Sequence, residues 1–231
     1  MEKILNLGWR TKGIVPALLQ GKDAQMLYNT LPEQARVGLK YDVDSKSVIG
    51  STPFASAILD VEARKYSART PNLRDLSRPE VMEIVKDKFY TDSRNLIIRS
   101  LKDKDNFQNN RLLRQIYELA EEKEGNVKDG FMIEGFTFVP DENDKNGYGL
   151  KIVPLDDFKV IQDERLLGHN RDSFLEVDDF GIPKFDKKGN RIWYSRDSGL
   201  SGLFLSGSLN LGSSNYSLSN SNDDGRVVFL K

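Results

Sequence analysis

The stretch DSGLSGLFLSGSLNLGSSNYSLSNSNDDGRVV, Asp197 to Val228, is unlike the rest of the chain in composition. Lys and Arg together make up 34 of 231 residues, yet between Asp197 and Gly225 there is no Lys, Arg, Glu, Gln, Met or Trp. Leu203, Leu205, Leu209, Leu211 and Leu218 form a frame, with Ser, Gly, Asn, Asp, Tyr and Phe between them. Leu203/Leu205 and Leu209/Leu211 are spaced by two, so each pair can point into one core while the intervening residues face outward. A Ser/Asn/Gly-rich disordered tail is the competing explanation. A flexible tail has no reason to hold leucines in register, nor to end in the strand-forming run Arg226 to Leu230. The stretch therefore reads as a folded scaffold carrying a small polar surface.

Upstream, the pattern changes once. Thr52-Pro53 is a helix start, with Phe54, Ile58 and Val61 on one face of a helix to about Tyr66. Ser77 and Glu80 have capping-box spacing before Val81, Ile84, Val85 and Phe89. A third helix is expected from Asp92 or Ser93 through Leu101, and a fourth from Leu112 to Gly125. Before them, Ala24 to Tyr28 suggests a short helix and Val37 to Val43 a strand. After Gly125 the period becomes two. Strands are expected at Phe131 to Phe138, Leu150 to Val153, Phe158 to Ile161, Phe174 to Val177 and Arg191 to Tyr194. Asp186 to Asn190 supplies turn residues for a hairpin between Phe185 and Ile192. Helices followed by strands predict an α+β fold, with a helix-rich region over 1–125, possible as part of the same domain, and a second unit over 126–231.

Chemistry is scarce. The chain has no Cys, which excludes disulfides, thiolate zinc sites and a Cys nucleophile. His169 is the single imidazole and lies in a loop without a motif. Asp141 to Gly147 resembles a calcium loop, but Ile152 stands where the bidentate Glu belongs, so a polar hairpin is expected. Gly21-Lys22 lacks the first Gly of a phosphate loop; Asp156-Asp157 and Asp178-Asp179 read as loop solvation, and Trp9 and Trp193 as packing. No catalytic residue, metal ligand or cofactor is assigned, and binding is favoured over catalysis. A net charge of −1 argues against a nucleic-acid partner. No apolar segment reaches membrane-spanning length and no signal peptide is evident, so the expected location is a cytoplasm or a virion assembled there, without membrane insertion.

Trp193-Tyr-Ser-Arg-Asp-Ser-Gly-Leu-Ser201 before the variable stretch, Gly225-Arg-Val-Val228 after it, and Asn72 to Val81 resemble the variable proteins of diversity-generating retroelements, in an archaeal and viral-like subfamily. In that family a reverse transcriptase randomises template adenines, mostly in Asn codons whose last base stays C. The permitted residues include Asn, Ser, Gly, Asp, Tyr and Phe and exclude Lys, Glu, Gln, Met and Trp. The resemblance implies a C-type-lectin-like C-terminal domain that displays a diversified surface to a variable ligand of protein nature. It further implies that the leucines, Ser213, Ser221, Gly225 and Arg226 are the fixed frame. The ligand-binding candidates are then Phe204, Ser206, Gly207, Ser208, Asn210, Gly212, Ser214, Asn215, Tyr216, Ser217, Asn220, Asn222, Asp223 and Asp224. Such a set suits a paratope, since Tyr and Phe give area at low entropy cost and Ser, Gly and Asn adapt their hydrogen bonds. The alternative is a structural or adaptor protein that binds a partner through its helical half.

Overall fold

The computed structural model describes residues 16–231, so Ile4-Leu5, Trp9 and Ile14-Val15 lie outside the described residues. In chain order the elements are β1 (Pro16–Leu18), α1 (Lys22–Thr30), β2 (Lys40–Asp42), β3 (Ser47–Ile49), α2 (Pro53–Arg64), α3 (Pro79–Val85), β4 (Thr91–Ile98), α4 (Asn109–Glu124), β5 (Phe131–Pro140) and β6 (Leu150–Gln162). There follow β7 (Asp172–Val177), β8 (Pro183–Phe185), β9 (Arg191–Ser195), β10 (Leu200–Leu205), β11 (Leu211–Ser213) and β12 (Val228–Leu230). Eight strands form one mixed sheet in the order β6-β5-β4-β10-β11-β9-β7-β8. Only the β11–β9 pair in that sheet is parallel. β1 pairs with β12, and β2 with β3, as two small antiparallel sheets. Among the described residues the protein is α+β, with four helices packed around this mixed sheet.

An apolar cluster covers each face. Leu96 and Ile98 of β4, with Phe131 and Ile133, join α2 and α4 in the first cluster. Ile97 and Met132 point the other way and join Val81, Val85, Leu203, Leu205, Leu211 and Trp193 in the second. The described part of 1–125 and the region 126–231 thus share one sheet and both apolar clusters.

Several expected elements are found where the pattern put them. The Thr52 hydroxyl caps α2 by accepting from the Ala55 amide at 3.1 Å, and Gly125, with φ 82°, ends α4. Others are corrected. The third helix is instead the central strand β4: a strand buried on both faces reads as a continuous apolar run, without the alternation that reveals half-buried strands. The capping box at Ser77 does not form. Arg78 occupies the N-cap, and the Ser77 hydroxyl accepts from Arg191 Nη1 at 3.2 Å. The segments 150–153 and 158–161 are one long strand, β6. Asp186 to Asn190 does not close a β8–β9 hairpin, because β7 lies between those strands and pairs with both. Only Lys40–Asp42 of the expected 37–43 strand pairs, while Val37 and Val43 are exposed. Of the described helices, none is long and apolar enough to cross a membrane.

Candidate functional site

Strand register sorts the unusual stretch into two sides. Leu205, Leu211 and Trp193 are neighbours across β10, β11 and β9, and all three are buried in the second cluster. One residue along, Phe204, Gly212 and Tyr194 are neighbours on the opposite face. The chain then leaves β11 and runs through 214–224, anchored by Leu218 in the first cluster.

Fixed polar groups hold that run in place. The Tyr216 carbonyl accepts from Asn106 Nδ2 at 2.9 Å and Asn109 Nδ2 at 3.0 Å. The Tyr148 hydroxyl accepts from the Leu218 amide at 3.1 Å and donates to Asn109 Oδ1 at 2.7 Å. Ser221 Oγ accepts from the Ser51 amide at 2.9 Å and from the Tyr90 hydroxyl at 3.2 Å, while that hydroxyl accepts from the Asn222 amide at 3.1 Å. Ser213 is fully buried, bonded to Arg99 Nη2 at 2.8 Å and to Ser201 Oγ at 2.7 Å. A Cβ on Gly225 would sit 2.6 Å from the Ser51 nitrogen and 2.8 Å from the Gly50 carbonyl carbon. Gly225→Ala is therefore expected to cost about 1–3 kcal/mol by forcing backbone apart, as measured by urea denaturation; an unchanged midpoint would remove Gly225 from the frame.

Of the ligand-binding candidates, Ser208, Tyr216, Asn220, Asn222, Asp223 and Asp224 are exposed. Phe204, Ser206, Gly207, Asn210, Ser214, Asn215 and Ser217 are half-buried. Gly212 is a correction: it is buried beneath the Phe204 ring, whose Cζ would lie 2.1 Å from an added Cβ. A larger residue at 212 requires the ring at 204 to move, so the two positions are coupled. Asn210 is partly structural, because its Oδ1 accepts from the Ile192 amide at 2.7 Å. Leu209 departs from the leucine frame. It is half-buried with φ 65° in the turn from Ser206 to Asn210, and its carbonyl accepts from Arg191 Nε at 2.6 Å. Burial without a carboxylate partner lowers the Arg191 pKa to about 10.

Beside Tyr216 opens a cleft of about 660 Å³, lined on its other sides by Arg171, Tyr194, Arg196 and Asp197. The Arg196 guanidinium lies 4.7 Å from the Tyr216 ring centre and makes a bidentate pair with the fully buried Asp103, at 2.7 and 2.9 Å. Burial pushes the Asp103 carboxyl up, but the Arg196 fork, the Asn109 amide and backbone amides outweigh it and hold the carboxyl below its usual range. Arg99 is also buried, yet among the described residues its guanidinium donates only to the neutral groups Leu166 O, Ser201 Oγ and Ser213 Oγ. Burial, followed by the like charge of Arg196, lowers its pKa to about 9.

His169 Nδ1 pairs with Asp172 Oδ2 at 2.7 Å, and the imidazole stacks on Phe185 at 3.9 Å. The nearby Ser195 hydroxyl donates to the His169 backbone carbonyl at 2.5 Å, so its proton is committed to a carbonyl and not to the imidazole. The calcium-like loop joins β5 to β6, and its Asp141 and Asp144 face Arg111. Among the described residues no group of three or more His, Asp or Glu is placed to hold a metal ion.

Comparison with protein-family models, with curated proteins and with solved structures finds no match.

Sequence reasoning missed Tyr90, Asn106, Asn109 and Tyr148, isolated polar residues of ordinary composition that the fold brings under the 214–224 run. Arg196 lay within the quoted motif, but its partner Asp103 is distant in sequence and no spacing points to it.

Proposed function

We propose that this protein is a non-enzymatic ligand-binding display protein. Its C-terminal part is a C-type-lectin-like scaffold whose surface, from Phe204 to Asp224, is diversified by a retroelement. One observation supports the proposal: most of the expected frame is buried and most of the expected surface set is not. Leu203, Leu205, Leu211, Leu218, Ser213 and Gly225 are buried, Leu209, Ser221 and Arg226 of the frame are half-buried, and all but one of the candidate residues reach the surface. A scaffold that must survive random substitution needs this separation, since surface changes away from caps and networks cost little and core truncations cost a great deal. The adaptor alternative has less to draw on, because the apolar faces of α2 and α4 are already used inside the first cluster.

Two results test this. Flanking DNA is expected to hold an imperfect copy of the codons for Asp197 to Val228, differing only at adenines in the copy, beside a reverse-transcriptase gene; a complete neighbourhood with neither removes the diversification. Independently, Asn220→Tyr and Asp224→Tyr, at exposed side chains, should each shift stability by no more than about 0.5 kcal/mol, against about 2–5 kcal/mol for Leu211→Ala. Equal losses in both groups would sink the separation of frame and surface.

A further inference from the structure

The cleft beside Tyr216 contains fixed charges whose partners can be traced one by one. Arg196 is taken by Asp103 and Asp105, its Nη2 lying 2.9 Å from Asp105 Oδ2. Among the described residues Asp197 makes no ion pair, but its negative charge acts on the buried Arg99 and partly offsets the effect of burial. Arg171 is left over. It is exposed, lines the cleft, and among the described residues its guanidinium has no hydrogen-bond or ion-pair partner. Of the other described arginines, only Arg114 shares that condition, on the outer side of α4.

The Arg171 backbone is not a loose loop. Its amide donates to the Trp193 carbonyl at 2.8 Å, the preceding Asn170 Oδ1 accepts from the Ser195 amide at 3.2 Å, and the Ser195 hydroxyl holds the His169 carbonyl. Three ties to β9 keep Arg171 at φ 66°, a left-handed conformation that costs a non-glycine residue energy. The backbone at the cleft rim is thereby fixed, and only the side chain's own freedom is lost when the guanidinium binds.

We propose that the cleft receives the carboxylate of an acidic side chain on a protein ligand, with Arg171 as a constant anchor and Tyr194 and Tyr216 as walls. This rests on the ligand-binding reading above and adds to it a feature of ligands that diversification does not change. A guanidinium fork matches a carboxylate in two parallel hydrogen bonds, and flanking tyrosines supply contact area at low entropy cost. Asp105 and Asp197 line the same cleft and oppose any anion, a doubly charged phosphate more than a singly charged carboxylate, so the bound carboxylate depends on the Arg171 fork. Arg171 lies outside the stretch of restricted alphabet, so the anchor stays constant while Ser214 and Tyr216 vary around it.

The experiment selects a random-peptide phage library against the full chain, Arg171→Gln and Tyr216→Ala, after checking that all three melt alike. Peptides selected on the parent chain are expected to be enriched in Asp or Glu at one position and to lose about tenfold or more in affinity for Arg171→Gln. Selected peptides without an acidic position, or equal affinity for the parent chain and Arg171→Gln, overturn the carboxylate anchor. If those same peptides still lose affinity for Tyr216→Ala, the binding surface stands and only the anchor falls. A library from which the parent chain enriches nothing overturns both.

Discussion

Near pH 8, the Asp92→Asn protein is expected to be more stable than the parent by up to about 4 kcal/mol, and near pH 4 the difference should close. Asp92 is 1% exposed, and among the described residues one of its carboxylate oxygens has no partner and no cation offsets its charge. Burial raises its pKa from the ordinary 3.8 to about 7, against a small opposing hydrogen bond from Ser51. A folded-state pKa above the unfolded value means that the folded chain holds the proton more tightly. The stabilisation is fully present below the unfolded pKa and is lost as pH rises through about 7. Asparagine keeps the shape and has no proton to lose. Urea denaturation of both chains across this range measures the gap; a gap that does not change with pH would show that ionisation of Asp92 is not its source. Asp92 is the cross-strand partner of Phe204, and its amide donates to the Ser51 hydroxyl. Ser51 in turn donates its own amide to Ser221, so the penalty falls directly beneath the candidate binding surface.

The second large effect is at Asp103. Asp103→Asn should destabilise the protein by about 3–5 kcal/mol, because it leaves the buried Arg196 without its main counter-charge. Asp105 offers partial compensation, since it is half exposed and bonds only one Arg196 nitrogen. Asp103 also accepts from the Leu200 amide at 3.2 Å and from Asn109 Nδ2 at 2.6 Å, so its loss loosens both the entry to β10 and the anchor of the Tyr216 carbonyl. The double variant Asp103→Asn with Arg196→Met removes both charges, keeps an oxygen at 103 to accept from the Asp105 and Asn106 amides, and should recover much of the loss. If the double variant is no more stable than Asp103→Asn, the uncompensated charge is not what destabilises the single variant.

What was legible in the sequence was whatever local chemistry fixes. Thr52-Pro53 names a helix start wherever it falls, because a hydroxyl cap and a preset φ need no tertiary partner. The pair Leu203 and Leu205 could be read for the same reason, since a period of two places residues on one face before any packing. The restricted alphabet after Asp197 is a property of the sequence alone, but it does not by itself sort surface from core, since Ser201, Gly202, Gly212 and Ser213 share it and are buried while Leu209 is half-buried.

Only the tertiary structure decided the rest. Leu96-Ile97-Ile98 carries no signal for strand over helix; the sheet makes it a strand by pairing both of its edges, with β5 on one side and β10 on the other, while an apolar cluster buries each face. Leu209 looks like its neighbours in sequence, but the turn requires a left-handed residue there and Arg191 holds its carbonyl. The partnerships of Arg196 with Asp103, Tyr90 with Ser221 and Asn109 with Tyr216 join residues about a hundred positions apart. Hydrogen bonds and charges act over a few ångströms whatever the sequence separation, so the composition of the surface was written in the chain while its support was set by the fold.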